Sequence, residues 1–322
     1  MKNKINYIAE LCQNHLGKIS NIEKMIYETA LNGANIIKTQ YIFSKSLAFR
    51  PEFENGVMIK NKKYIMKRPY LAEYNRLKKL DLKFKDYEKF IKICEKNNVT
   101  PMITCFARQH VKDLKNIGFK YIKVASYDCA SFQMLKELKS NFNNIIVSTG
   151  ATYDQEIEYA SKILNKLKKF VLLHCVSIYP TPFSELNLKR ISFLKKYSKE
   201  VGFSDHSVGI DENKNFACKA AIYFGATYLE RHIRIFESEK TKDGIVSILP
   251  SDIIDVINFS KLSKNDQYLH LKDKYKIKFK TTLGFKYRNL SHAELLNRNY
   301  YRGRFASFKK NQVIDNWEEI PL

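Results

Sequence analysis

Two histidines close two neighbouring stretches of this chain in the same way, in Gly202-Phe203-Ser204-Asp205-His206-Ser207 and in Tyr228-Leu229-Glu230-Arg231-His232-Ile233. Each has a carboxylate one or two positions before it. A helix-like segment from about Glu212 to Phe224 separates the two stretches. Strands joined by a helix run parallel and end at the same rim. His206 and His232 should therefore face one another across one mouth. Imidazole pairs placed like this commonly hold a divalent metal. Either histidine alone reads as an ordinary strand-end residue; the matched placement singles them out.

Other short apolar runs exit toward the same rim, and the lysines, small hydroxyl residues and Gly150 among their exits suit an anion. Lys38 and Gln40 follow Asn35-Ile36-Ile37, and Thr104 and Phe106 follow Pro101-Met102-Ile103. Lys123, Ser126 and Asp128 leave Tyr121-Ile122, and Ser148 and Gly150 leave Ile145-Ile146-Val147. Ser177 and Tyr179 follow Val171-Leu172-Leu173, and Ser204 precedes His206. Lysine supplies charge, while hydroxyls and backbone N–H groups supply directed hydrogen bonds, a set that fits a phosphate. A strand-end lysine also permits Schiff-base chemistry through Lys38 or Lys123, which leaves the histidines without a role. The first run, Tyr7-Ile8-Ala9, exits on Glu10.

The elements that must position these residues form a simple series. About eight apolar runs alternate with helix-length amphipathic segments, the count of a (β/α)8 TIM barrel. Barrel enzymes carry their chemistry at the C-terminal strand ends, where every residue above falls. One interval is long, from Gln40 to about Lys83, and contains the loop-like Arg50-Pro51-Glu52-Phe53-Glu54-Asn55-Gly56; it could cover the mouth. The barrel is expected over residues 1–262. A Lys-rich stretch without strand rhythm, 263–297, reads as a linker, and 298–322 as a short extension.

Bulk properties narrow the class. The chain has 322 residues, 44% of them hydrophobic, enough for a sizeable core. Its net charge of +23 raises nucleic acid as a partner. The lysines are scattered over helix-like segments, however, which reads as solvated faces rather than a groove binder. No nucleic-acid motif accompanies them. The excess charge also suits steering of an anionic substrate. Six cysteines without paired spacing read as reduced core residues of a cytoplasmic protein. No signal-like or membrane-spanning stretch is expected.

Taken in order, the exits resemble the N-acetylneuraminate (sialic acid) synthase family, which includes legionaminic and pseudaminic acid synthases. The resemblance spans about Ile5 to Ser251. It rests on Ile8-Ala9-Glu10 through Asn14-His15, Lys123-Val124-Ala125-Ser126, and Leu172-Leu173-His174-Cys175 with Tyr179-Pro180-Thr181-Pro182. Ser204-Asp205-His206-Ser207 and Leu229-Glu230-Arg231-His232 complete it.

The resemblance implies condensation of phosphoenolpyruvate with an N-acetylated six-carbon sugar, giving a nine-carbon 2-keto acid and phosphate. It implies a divalent metal on His206 and His232, manganese above all, with magnesium or cobalt as alternatives. It places Glu10 near the reacting carbons. It assigns Lys38, Thr104, Lys123, Ser126, Ser148, Gly150, Ser177, Tyr179 and Ser204 to phosphoenolpyruvate. Gln40, Phe106, Asp128 and Asp243 go to the sugar, and a homodimer is the expected assembly. Ser177 and Asp128 stand where some relatives have Asn and Glu.

The family usually continues into an antifreeze-like module that gives the neighbouring site an arginine. Here only Tyr301-Arg302-Gly303-Arg304-Phe305-Ala306 and Lys309-Lys310-Asn311-Gln312-Val313-Ile314 resemble its opening. That sugar contact is therefore expected to be lacking, unless the 40–83 excursion closes the mouth. A relative that has lost catalysis is the remaining alternative.

Overall fold

The structure, a computed structural model, describes residues 5–310 and 312–322. Eight parallel strands close into a barrel: β1 Asn6–Glu10, β2 Ile36–Tyr41, β3 Thr100–Cys105, β4 Tyr121–Val124, β5 Asn144–Ser148, β6 Lys169–Cys175, β7 Glu200–Asp205 and β8 Tyr228–His232. Each pairs with its sequence neighbour, and β1 pairs with β8 to close the ring. All eight expected runs fall on these strands, two of them starting one residue early, at Asn35 and Thr227.

Two apolar sets sort by the period of two along a strand. Outward residues such as Ile37, Ile103, Val147, Leu172 and Leu229 pack under the surrounding helices as the main core. Inward residues Ile8, Ile36, Met102, Ile146, Val171, Leu173 and Tyr228 fill the barrel interior. The helices show the matching stripe. Ile22, Met25, Ile26 and Thr29, at three- and four-residue spacing, are the buried face of helix Ile19–Leu31.

The excursion between β2 and β3 is more structured than a loop. It holds a short helix, Glu52–Asn55, a two-stranded ribbon of Val57–Ile59 with Lys62–Ile65, and a helix, Tyr70–Lys78, that ends over the mouth. The stretch read as a linker also differs from expectation. A helix runs from Lys264 to Thr281, broken at Lys276, and buries Leu271, Tyr275 and Phe279. Those three sit four residues apart, so one face is apolar although lysines dominate the rest. Phe279 lies beside Tyr223 and Phe224, and Tyr275 stacks on Phe216.

After helix His292–Tyr301, the chain returns across the mouth as a small ribbon, Ser307–Lys309 with Gln312–Ile314. Arg50 donates to the carbonyls of Arg302, at 3.0 Å, and of Tyr300. Arg108 donates to the carbonyls of Glu318 and Ile320 at 2.6 and 2.9 Å. Among the described residues no helix is long and apolar enough to cross a membrane.

Candidate active site

The barrel interior changes character along its axis. Two residues beyond the apolar layer, the inward positions become Glu10, Lys38, Thr104, Lys123, Ser148, Ser204 and Glu230, all buried. Strand register brings them together: Glu10 lies opposite Lys38 and His232, Thr104 opposite Lys123, and Ser204 opposite Glu230. The same parity sends Asp205 and Arg231 outward, where they form a fully buried pair at 2.8 Å. Of the two carboxylates that precede the histidines in sequence, only Glu230 therefore points inside.

A cleft of about 460 Å3 opens over this floor, within the usual size of a small-molecule site. Of the sequence-derived candidates, Glu10, Lys38, Gln40, Thr104, Phe106, Lys123, Ser126, Asp128, Ser148, Tyr179, Ser204, His206, His232 and Asp243 line it. Gly150 and Ser177 do not; they lie behind its wall. The Gly150 N–H donates to Ser126 Oγ at 3.1 Å. A Cβ on Gly150 would fall 2.4 Å from Ser177 Oγ, so only glycine permits this close approach. Ser177 is wholly buried. Asn14 and His15 are also structural: Asn14 ties down Ile233 and Ser247, and His15 Nδ1 accepts the Gly17 N–H.

The floor is a closed charge network. Lys38 pairs with Glu10 and donates to Thr104 Oγ1 at 2.9 Å. Lys123 donates to Ser148 Oγ at 2.7 Å and to the Val124 carbonyl at 2.9 Å. Glu230 accepts the Ser204 hydroxyl at 2.8 Å and lies 3.9 Å from both ammonium groups. Burial opposes ionisation of Glu230, but Lys123 and Lys38 outweigh it and bring its pKa down to about 2. Burial lowers Lys38 to about 7; Lys123 adds to the shift and Glu230 opposes it.

The two histidines meet as expected, with ring centroids 5.2 Å apart. Burial holds both pKa values near 3, with each ring's shift added to by His232 at His206 and by Lys38 at His232, so both rings favour the neutral form. His206 Nδ1 lies 3.3 Å from the Val176 carbonyl. That contact puts the proton on Nδ1 and leaves Nε2 as the free lone pair. His232 Nδ1 is buried without a hydrogen-bond partner among the described residues. Glu10, Cys12 and His232 offer ligand atoms within 4.8 Å of one another. Burial, then Asp243, pushes the Cys12 thiol well up, so it stays protonated. The donor set that fits a divalent cation is His206 and His232, with the Glu10 carboxylate beside them.

Residues not named as site candidates form the rim: Gln13, Arg68, Arg76, Tyr127 and Lys242, joined by Tyr301, Arg304 and Phe305 of the segment that resembles the module's opening. Arg304 reaches the mouth within its own chain and pairs with Glu73. Asn316, further along the same segment, donates to Asp128 Oδ1 and to the Phe106 carbonyl at 2.9 and 2.8 Å. Burial pushes the Asp128 pKa up to about 6. An arginine of this chain, Arg304, thus lines the mouth at which that contact was expected to be lacking.

The fold and cleft together define a (β/α)8 barrel protein with one polar mouth at the C-terminal strand ends, where such barrels place their active sites. The family model described as the NeuB family matches residues 25–266, and the chain belongs to that family. It is 31% identical over 255 residues to N,N'-diacetyllegionaminic acid synthase of Campylobacter jejuni, covering 76% of this chain and 72% of that protein. It is 28% identical to N-acetylneuraminate-9-phosphate synthase of Drosophila melanogaster, covering 76% and 64%. The crystal structure of N-acetylneuraminic acid synthetase from Leptospira borgpetersenii superposes with a TM-score of 0.66 at 26% identity, over 86% of this chain and 94% of that one.

Proposed function

We propose that this chain joins phosphoenolpyruvate to an N-acetylated six-carbon sugar, forming a nine-carbon 2-keto acid and releasing phosphate. The observation that carries this reading is the pairing, over one floor, of a lysine–hydroxyl cluster with two neutral, facing imidazoles. The first suits a phosphate and a carboxylate; the second suits a cation that engages the sugar's carbonyl.

In this reading Lys123, Ser126, Ser148 and Ser204 hold the phosphate, and Lys38 neutralises charge on the same substrate. The C3 carbon of phosphoenolpyruvate attacks the sugar aldehyde, forming the new carbon–carbon bond. The aldehyde oxygen becomes a hydroxyl as it takes up a proton. C2 becomes electron-poor, and in this reading the Glu10 carboxylate stabilises that charge and orients the water that adds there. Gln40 Nε2 donates to Glu10 Oε1 at 2.9 Å and fixes its direction. The C2–O bond to phosphate then breaks and the ketone forms. The chemistry a divalent ion on His206 and His232 would supply is Lewis-acid polarisation of the aldehyde. Holding two substrates in one cleft supplies much of the rate gain.

One observation favours a Schiff-base aldolase instead: a lysine ionising near 7 suits an amine nucleophile. Against it, the Lys38 nitrogen is held between Glu10 and Thr104, and the histidines would be idle. Incubation with phosphoenolpyruvate, manganese and a panel of N-acetylated hexoses, with and without borohydride, separates the two. Sugar-dependent phosphate release without a covalent adduct supports the synthase; a borohydride-trapped adduct on Lys38 or Lys123 overturns it.

A further inference from the structure

The excursion between β2 and β3 carries a surface that the cleft does not use. Its ribbon, Val57–Ile59 with Lys62–Ile65, projects into solvent: every residue from Val57 to Tyr64 is exposed. Four of them are large and apolar, Val57, Met58, Ile59 and Tyr64, with 38, 61, 53 and 47% of their surface open. At the tip, Lys60 and Asn61 both take positive φ, 45° and 61°, the turn whose twist matches a two-residue hairpin. Successive residues of a strand point to opposite faces, so Ile59 projects from one face and Met58 from the other. Register sets Met58 opposite Lys63 and Ile59 opposite Lys62. Both faces are therefore apolar and cationic at once.

An isolated two-stranded ribbon is marginal in water, and one with apolar side chains on two bare faces calls for a covering. One strand is tied down: the His292 ring nitrogen lies 2.7 Å from the Lys63 carbonyl. The outer strand, Val57–Ile59, pairs with nothing but its neighbour among the described residues. A protein surface would cover one face of such a ribbon, whereas a bilayer interface surrounds both.

Charge selects among partners. From Asn55 to Ala72 the chain has five basic side chains, Lys60, Lys62, Lys63, Lys67 and Arg68, and no carboxylate. Glu52 and Glu54 precede the ribbon, and Glu54 accepts the Tyr70 N–H at 2.5 Å. Glu294, on the helix that carries His292, is held by Arg288. The whole chain has a net charge of +23, so a second copy would set like charge against like. Lysine stems lie along apolar surface while their ammonium groups reach the headgroups, and tyrosine is enriched at that depth.

We propose that this ribbon docks the protein on an anionic phospholipid surface. Met58, Ile59 and Tyr64 enter the boundary between headgroups and acyl chains, and the lysines meet lipid phosphates. Arg68, three residues past the ribbon, lines the cleft, so docking sets the barrel mouth beside the membrane.

The test is flotation of the full chain with vesicles of phosphatidylcholine alone, or of equal parts phosphatidylcholine and phosphatidylglycerol. Affinity for the anionic vesicles should exceed that for the neutral ones at least roughly tenfold, and it should fall as salt is raised. Two variants separate the contributions. Met58→Ser with Ile59→Ser removes apolar groups and keeps every charge; Lys60→Glu with Lys62→Glu reverses the local charge. Each should lower affinity for anionic vesicles at least roughly tenfold, while the Tm holds because these side chains are exposed. No preference for anionic vesicles overturns the proposal. Anionic binding that survives Met58→Ser with Ile59→Ser also overturns it, since the scattered lysines would then suffice. Sedimentation showing a dimer that the same two substitutions dissociate overturns it as well, and gives the ribbon to a second copy.

Discussion

Glu230 Oε2 lies 3.9 Å from the Lys123 ammonium, both groups buried on the floor of the barrel mouth. The same oxygen is 3.9 Å from Lys38. One carboxylate thus steadies the two cations assigned to phosphoenolpyruvate, and it controls how readily Lys38 stays protonated.

That control gives a pH prediction. Lys38 ionises near 7 in the free protein. A bound anion favours the protonated form, so binding draws in a proton at higher pH. kcat/KM for phosphoenolpyruvate should be full below about 7 and fall above it, with a slope approaching one proton. Glu230 raises the Lys38 pKa, so in Glu230→Gln the falling limb should move to lower pH. A limb that stays in place in the variant would show that Lys38 is not the titrating group.

Lys123→Ala should chiefly weaken phosphoenolpyruvate binding. Lys123 donates to Ser148 and points into the cleft. Loss of a charge-assisted contact costs about 1.5–3 kcal/mol, so KM should rise roughly ten- to a hundredfold. Unchanged phosphoenolpyruvate affinity with a raised sugar KM would reverse the assignment.

The histidine pair should govern metal binding. Chelation should stop phosphate release and manganese should restore it. In His206→Ala and His232→Ala, manganese affinity measured by calorimetry should fall by more than the roughly 10–100-fold seen when only an outer partner is lost. Either variant keeping wild-type manganese affinity would contradict the assignment.

The C-terminal segment should stabilise the mouth as well as line it. Asn316 serves both Asp128 and the Phe106 carbonyl. Asn316→Ala removes the donor from the half-buried Phe106 carbonyl and one of the two donors to Asp128 Oδ1, at a cost of about 1–3 kcal/mol. Thermal unfolding should show a Tm lower by several degrees. An unchanged Tm would mean that water replaces the amide.

Much of this was legible in the chain. The strands show as apolar runs because a parallel barrel buries both faces of each strand, and the site shows as polar residues at their exits. Glu230 was legible in principle. It stands two positions before His232 and so shares its inward face, whereas Asp205 stands one position before His206 and must point outward. The helix at 264–281 was hidden by its lysines, although Leu271, Tyr275 and Phe279 keep a four-residue spacing. Glu73 and Arg76 were not legible, nor was the place of Arg304 at this chain's own mouth. Their meeting depends on how an excursion and a returning segment fold over the mouth, which no local pattern encodes. Gly150 and Ser177 were placed one layer too far forward, because a position near a strand exit does not say whether a residue lines the cleft or supports its wall.

The most direct test of the central claim is stoichiometry. Phosphoenolpyruvate, manganese and the preferred N-acetylated hexose are incubated with the protein, and phosphate and nine-carbon 2-keto acid are quantified together. The account predicts one phosphate per keto acid and no phosphate without the sugar. Phosphate released without sugar, or sugar consumed without a nine-carbon acid, would contradict it.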